Sequence, residues 1–307
     1  MPGVPHDRTK SFRTNTKHEH SRKEVKELKF GRFTQAGRVN PIWGIVDLEE
    51  EVVRIFDPPF EIWANQFMET GPDALQTTST EELANLTALA PLPPGARIFG
   101  AGANYMSHLS AMGWESPPES PVGYLKVDSA IIGPDAEIRY PSMTEQLDYE
   151  VELVPVVGRR SGEPVGIESI LGYTIGNDVS VRDLPQPLGG PDLYSMKAFD
   201  GISPLGPWIV TADEVGGAIQ PALDMMLRIN GKERQRDNTG NMIFPVEQIL
   251  SYINERNALR TGDIIYTGSC VGAGIETGDF LNHADLVEAE IEGLGILRNR
   301  VGHKTES

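Results

Sequence analysis

The sequence predicts a β-rich α+β fold with a closed or sandwiched sheet core, and three observations carry that expectation. Apolar runs of strand length recur along most of the chain; turn formers are abundant between them, with 32 glycines and 23 prolines; and few segments carry a helical pattern. Spacing alone does not separate a closed roll from a sandwich.

Taken in order, the elements divide into a head and two larger parts. Residues 1–27 are expected to be a disordered basic extension, since residues 1–29 hold eight Lys/Arg against four acids and scattered His and Ser. Residues 28–94 are expected to form a small N-terminal α+β domain. Within it, residues 28–56 mix apolar and polar positions around turn signals at Gly31, Gly37, Asn40-Pro41 and Asp47, a pattern of short antiparallel strands. Ser79 three residues before Glu82 forms a capping box, which predicts a helix over 79–86. Pro91-Leu92-Pro93-Pro94-Gly95 reads as a stiff linker to a larger domain over 95–303. There Arg97-Ile98-Phe99-Gly100 is strand-like, 103–113 is a short helix carrying His108, and 245–254 is a helix with Val246, Ile249, Leu250 and Ile253 on one stripe. Further strands are expected at 124–127, 130–132, 151–157, 208–210, 225–229, 263–267 and 286–291.

Composition excludes several function classes. A net charge of −17 would repel a phosphate backbone, so no nucleic-acid partner is expected. No apolar run reaches the roughly 18 residues a membrane helix needs, and the first residues have no apolar segment of the secretory kind. The single cysteine, Cys270, cannot form an internal disulfide and suits a reducing cytoplasm. Two glycine-rich stretches fail as nucleotide sites. Gly100-Ala101-Gly102 is followed by Tyr105 where a third small residue is required, and 267–274 lacks the Lys-Ser/Thr of a P-loop.

The most informative local pattern is Asp148-Tyr149-Glu150-Val151-Glu152 opening an apolar run that continues to Val157. As a strand, it places Asp148, Glu150 and Glu152 on one face, where like charges repel and resist desolvation. A hard divalent cation relieves both problems, with Asp178 supplying a further oxygen. The alternative is an edge strand whose acidic face is wet.

Beyond this pattern, Asn104-Tyr105-Met106-Ser107-His108, Tyr124-Leu125-Lys126, Gly172-Tyr173-Thr174, Asn177-Asp178-Val179-Ser180 with Arg182-Asp183, Lys197-Ala198-Phe199-Asp200, Pro204-Leu205-Gly206-Pro207-Trp208, Asn241-Met242-Ile243-Phe244, Thr267-Gly268-Ser269 and Glu290-Ile291-Glu292-Gly293-Leu294-Gly295 recur in order. Together they resemble the fumarylacetoacetate hydrolase family across residues 95–302. The resemblance implies a mixed β-roll catalytic core and a metal held by Glu150, Glu152 and Asp178. The ion would be Mg2+ or Mn2+, with Ca2+ able to take the site in a crystal. It further implies Lys126 and Lys197 facing a small anionic substrate, contacts to that substrate from Tyr124, Gln186, Thr267, Gly268 and Ser269, and a homodimer.

The implied activity is hydrolysis of a C–C bond in a 1,3-diketo or acylpyruvate-type acid, by way of an enolate held at the metal. The sequence departs from the pattern at Ala111, where hydrolytic relatives carry the glutamate that assists His108 in activating water. Glu115, four residues on, is the candidate substitute. Otherwise His108 acts alone, or the chemistry needs no activated water: decarboxylation, isomerisation or dehydration of a 2-oxo acid. A non-catalytic descendant is the third reading. Pro185 stands where many relatives have Gln, with Gln186 one place on, and Cys270 replaces a frequent Pro. Arg182 and Asp183 are expected to belong to a structural ion-pair network rather than to the chemistry.

Overall fold

The strand Val151–Val157 is buried along its whole length, which a central place in a sheet explains. In the computed structural model, which describes residues 28–158, 165–185, 190–217 and 219–305, it pairs antiparallel with Ile170–Asn177 on one side and with Ile264–Tyr266 on the other. The wet-edge alternative therefore fails. Beyond Ile264–Tyr266 the sheet continues through Ile98–Gly102, which is parallel to it, to Val122–Lys126. In the other direction it passes through Ser203–Thr211 into Lys29–Gln35, Ile42–Asp47, Val52–Phe56 and Ser79–Glu82. The N-terminal strands thus share backbone hydrogen bonds with the larger part of the chain. Phe30, for example, stands opposite Ile209.

A second, five-stranded sheet runs Lys232–Asn238, Asp224–Ile229, Leu286–Ile291, Gly295–Lys304, Glu137–Tyr140. Strand alternation explains how the two sheets meet. From Val151–Val157, Val151, Leu153 and Val157 enter the core shared with Met225, Leu227, Val287 and Leu297 of the smaller sheet. Val154 and Val156 face the other way, into a core with Phe30, Trp43, Phe56, Phe60 and Trp63. Both faces are covered, so the run reads as continuously apolar until Glu152, where the second face gives way to the polar site.

The helix pattern is partly as expected. Met106–Ala111 carries His108, and Val246–Asn254 buries Val246, Ile249, Leu250 and Ile253. The capping-box helix over 79–86 does not form. Ser79–Glu82 is a strand paired with Val52–Ile55, Leu83–Asn85 is a single 3-10 turn, and Leu86–Leu89 pairs with Lys29–Gln35. Two open strand edges offer this segment complete backbone pairing, and that tertiary gain outweighs a local cap. The helix Phe60–Thr70, absent from the sequence reading, presents Phe60, Trp63, Ala64 and Phe67 at helical spacing to the second core. No helix among the described residues is long and apolar enough to cross a membrane.

Trp63 is fully buried, with ring centroids 4.7 Å from Phe30, 5.0 Å from Phe56 and 4.8 Å from Phe60. Trp63→Ala should therefore cost about 3–5 kcal/mol of unfolding free energy, measured by urea denaturation followed by circular dichroism.

Candidate functional site

The acidic motif is not one straight strand. Leu147–Asp148 pairs with Ser180–Val181 in a separate two-stranded ribbon, and the main-sheet strand begins only at Val151. The break parts Asp148 from the other two acids, so the expected single acidic face is corrected. Glu150 and Asp178 are drawn together by the backbone. The Asp178 amide donates to the Glu150 carbonyl (2.8 Å), and Asn177 Oδ1 accepts from the Glu150 amide (3.0 Å). Ligand oxygens of Glu150, Glu152 and Asp178 all lie within 4.8 Å of one another. No residue of the three is more than 6% exposed.

Two lysines enter this cluster from different elements. Lys126, at the end of the edge strand, donates to Asp178. Lys197, at the end of Leu193–Lys197, donates to Glu150 (2.7 Å), Asp178 (2.5 Å) and Ser180 Oγ (2.8 Å). The Tyr124 hydroxyl also donates to Asp178, and its ring lies 5.3 Å beneath the Lys197 ammonium.

Electrostatics separate the carboxylates. Burial pushes Glu150 upward, but Arg182 and Lys197, with a smaller contribution from His108, outweigh it and hold the carboxyl well below its ordinary range. Burial likewise opposes Lys126 and Lys197 at Asp178, and the two lysines win. Glu152 goes the other way. Burial and then repulsion from Asp178 and Glu150 raise it strongly; its described hydrogen bond comes from the Gly268 amide (2.8 Å). An all-oxygen donor set with one carboxylate that the neighbouring lysines do not neutralise fits a hard divalent cation such as Mg2+ or Mn2+. Lys126 is lowered, chiefly by burial, whereas the carboxylates beside Lys197 overcome burial and raise it.

His108 has a carboxylate partner, and it is Glu276. Nδ1 of His108 meets Oε1 of Glu276, whose Oε2 accepts from the Gly272 amide (2.6 Å). Glu115 is instead exposed in the loop after the helix, so the expected substitution of Glu115 for the missing glutamate is corrected. Chain direction explains this: that loop leads away into solvent, whereas the single helical turn Gly274–Thr277 brings Glu276 against His108 of the helix Met106–Ala111. The helix itself is anchored by Ser107, which donates to Asp237 (2.7 Å), and by Asn104, which donates to the Thr267 carbonyl (2.7 Å) and accepts from the Phe244 amide (2.7 Å).

Thr267, Gly268 and Ser269 reach the site, but their polar groups are engaged with protein. Thr267 and Ser269 donate to the Leu153 and Val151 carbonyls (2.7 and 2.8 Å), and the Gly268 amide goes to Glu152. These residues lock the segment to the acid-bearing strand. At Gly268, φ is +90° and an added Cβ would lie 2.8 Å from Asn104 Cβ, so glycine is required. Gln186 lies outside the described residues. Arg182 and Asp183 do not pair with each other: Arg182 bridges Asp148 (2.8 Å) and Glu150 (2.6 Å), while Asp183 accepts from Thr144 (2.5 Å) and the Glu145 amide (2.8 Å). Cys270 is buried and its thiol is pushed up by that burial, which leaves it inert as a nucleophile.

Residues 97–302 match the family model described as fumarylacetoacetate (FAA) hydrolase, C-terminal. A mitochondrial oxaloacetate tautomerase of Xenopus laevis is 32% identical over 259 residues, 80% of each chain. The structure of a 5-carboxymethyl-2-hydroxymuconate delta-isomerase from Mycobacterium smegmatis superposes with a TM-score of 0.73 at 29% identity, covering 90% of this chain and 100% of that one. A fumarylpyruvate hydrolase from Pseudomonas aeruginosa, solved with Mn2+ and pyruvate, gives 0.62 at 29% identity, covering 71% and 92%.

Glu152→Gln should raise the melting temperature of the metal-free protein by a few degrees and remove the further rise that Mn2+ gives the native chain. The sign follows from the raised carboxyl. A group whose folded pKa exceeds its unfolded value favours folding while protonated and loses that contribution as pH rises through the folded pKa. The advantage of glutamine should therefore grow from acid to neutral pH, read by calorimetric scans with and without Mn2+.

Proposed function

The chain belongs to the fumarylacetoacetate hydrolase family, whose members are enzymes, and from that footing we propose that it is a divalent-metal-dependent tautomerase. Its substrate would be a small 2-oxo dicarboxylic acid of the oxaloacetate type, interconverted between keto and enol forms. The observation that carries this reading is the depth of the site. Three carboxylates and two ammonium groups sit together at 6% exposure or less, beside an imidazole with its own carboxylate. That is a compact array of proton donors and acceptors suited to a short acid. The relatives that match over about four-fifths of the chain and are named oxaloacetate tautomerases support it.

A divalent ion, when bound, would supply positive charge that offsets the negative charge developing on the substrate. Glu150, Glu152 and Asp178 would hold it. His108 is the base. With Glu276 accepting from Nδ1–H, the Nε2 lone pair is left to remove a proton from the carbon next to the keto group. The C–H electron pair becomes the C=C bond, and the carbonyl π pair moves to oxygen. Lys126 and Tyr124, both donating to Asp178, are the groups that would deliver a proton to that oxygen, while His108 passes the carbon-derived proton on to water. Lys197 holds Glu150 and Asp178 in place.

A second reading, C–C hydrolysis of an acylpyruvate-type acid, is favoured by the same His108–Glu276 contact, because an imidazole oriented by a carboxylate also activates water. The test is direct. Oxaloacetate enol–keto conversion, followed by the loss of enol absorbance with Mn2+ present, should be fast in the native enzyme. It should fall about 10²-fold or more in His108→Gln, with Mn2+ affinity kept. Rapid cleavage of an acylpyruvate alongside slow enol conversion would hand the assignment to hydrolysis.

A further inference from the structure

Resting on the tautomerase reading, we infer that Asp148, acting with Arg182, is a positioning residue that keeps the His108–Glu276 pair in register with the metal carboxylates. Asp148 is fully buried and stands outside the group of three metal carboxylates, joined to it through Arg182. On one side it fastens the turn that bears Glu276: Oδ1 accepts from the Gly274 amide (2.5 Å) and Oδ2 from the Ile275 amide (3.1 Å). An added Cβ at Gly274 would lie 2.7 Å from Asp148 Oδ1, 2.8 Å from Phe280 Cδ1 and 2.9 Å from the Asp279 carbonyl oxygen, so the missing side chain lets this backbone close on the carboxylate and on the segment that follows it.

On its other side Asp148 accepts from Arg182 Nε (2.8 Å), and Arg182 Nη2 donates to Glu150 Oε1 (2.6 Å). The result is an unbroken polar chain from His108 through Glu276 and the 274–275 backbone to Asp148, Arg182 and Glu150. Its charge-assisted links are buried, where such bonds are strongest. Glu276 is also held by the Gly272 amide, so the orientation of its carboxylate depends on how the 272–275 backbone is pinned. Arg182 leaves the other oxygen of Glu150 to Lys197 (2.7 Å), so one guanidinium fixes the rotation of a metal carboxylate and the anchor of the base at once.

The experiment compares the native enzyme with Asp148→Asn, Glu276→Gln and the double variant. It measures kcat and KM for enol–keto conversion, Mn2+ affinity by calorimetry, and the nitrogen NMR resonances of His108, assigned among six histidines by His108→Gln. Asp148→Asn keeps the shape but loses the charge that holds Arg182. It should lower kcat about tenfold or more, leave KM within about twofold, weaken Mn2+ binding by much less than kcat falls, shift the His108 Nδ1 resonance, and add nothing to the loss in Glu276→Gln. An unchanged kcat, losses that multiply in the double variant, or a fall in Mn2+ affinity equal to the fall in kcat would each overturn it. Should the asparagine variant not fold, Gly274→Ala disturbs the same contact, together with those to Phe280 and the Asp279 carbonyl, with every charge retained, and the same outcomes decide. If the native enzyme fails to convert the enol, the tautomerase reading falls by itself, and the His108 resonance in Asp148→Asn still decides whether Asp148 sets the imidazole.

Discussion

Everything at this site depends on one constraint, the cost of holding carboxylates out of water. Glu150, Glu152, Asp178 and Asp148 are all buried, and each needs compensation from hydrogen bonds or positive charge. Lys126, Lys197 and Arg182 compensate three of them. Glu152 is left with a backbone amide and the repulsion of its neighbours. A site so arranged favours a divalent cation, and that preference connects the fold to the chemistry.

The fold meets the constraint by bringing separate elements to one point. The central strand and its neighbour supply Glu152 and Asn177-Asp178, the sheet edge supplies Tyr124 and Lys126, and the segment after Ile264–Tyr266 supplies the Gly268 amide. Each is fixed by ladder hydrogen bonds or by side chains bound to backbone, so the ligands need little reorganisation. The helix with His108 and the turn with Glu276 lie on opposite sides of a single contact. The chemistry therefore depends on the packing of segments 168 residues apart in sequence.

Much of this was legible in the sequence. The β-rich core, the helix with His108, and Glu150 and Glu152 at the head of an apolar run all follow from periodicity, composition and the cost of burying charge. The ordered motifs made the resemblance specific to a family. What was not legible depends on tertiary contact. Ser79–Glu82 has a helix cap in its sequence but becomes a strand because open edges lie beside it. Glu276 is an isolated acid in a glycine-rich stretch, and no local pattern ties it to an imidazole so distant in the chain. Arg182 reads as part of an ion-pair network, but its partners are Asp148 and Glu150, a choice fixed by the two-residue ribbon that brings Ser180–Val181 against Leu147–Asp148.

The central claim is that the three carboxylates hold a divalent ion able to take a chelating 2-oxo acid. The most direct measurement is Mn2+ titration followed by electron paramagnetic resonance, with and without oxalate as a small chelating mimic of the enolate. The account predicts one tightly held ion per chain, a signal changed by oxalate, and loss of both in Asp178→Asn. Saturable binding that survives Asp178→Asn, or none at millimolar Mn2+, would contradict it.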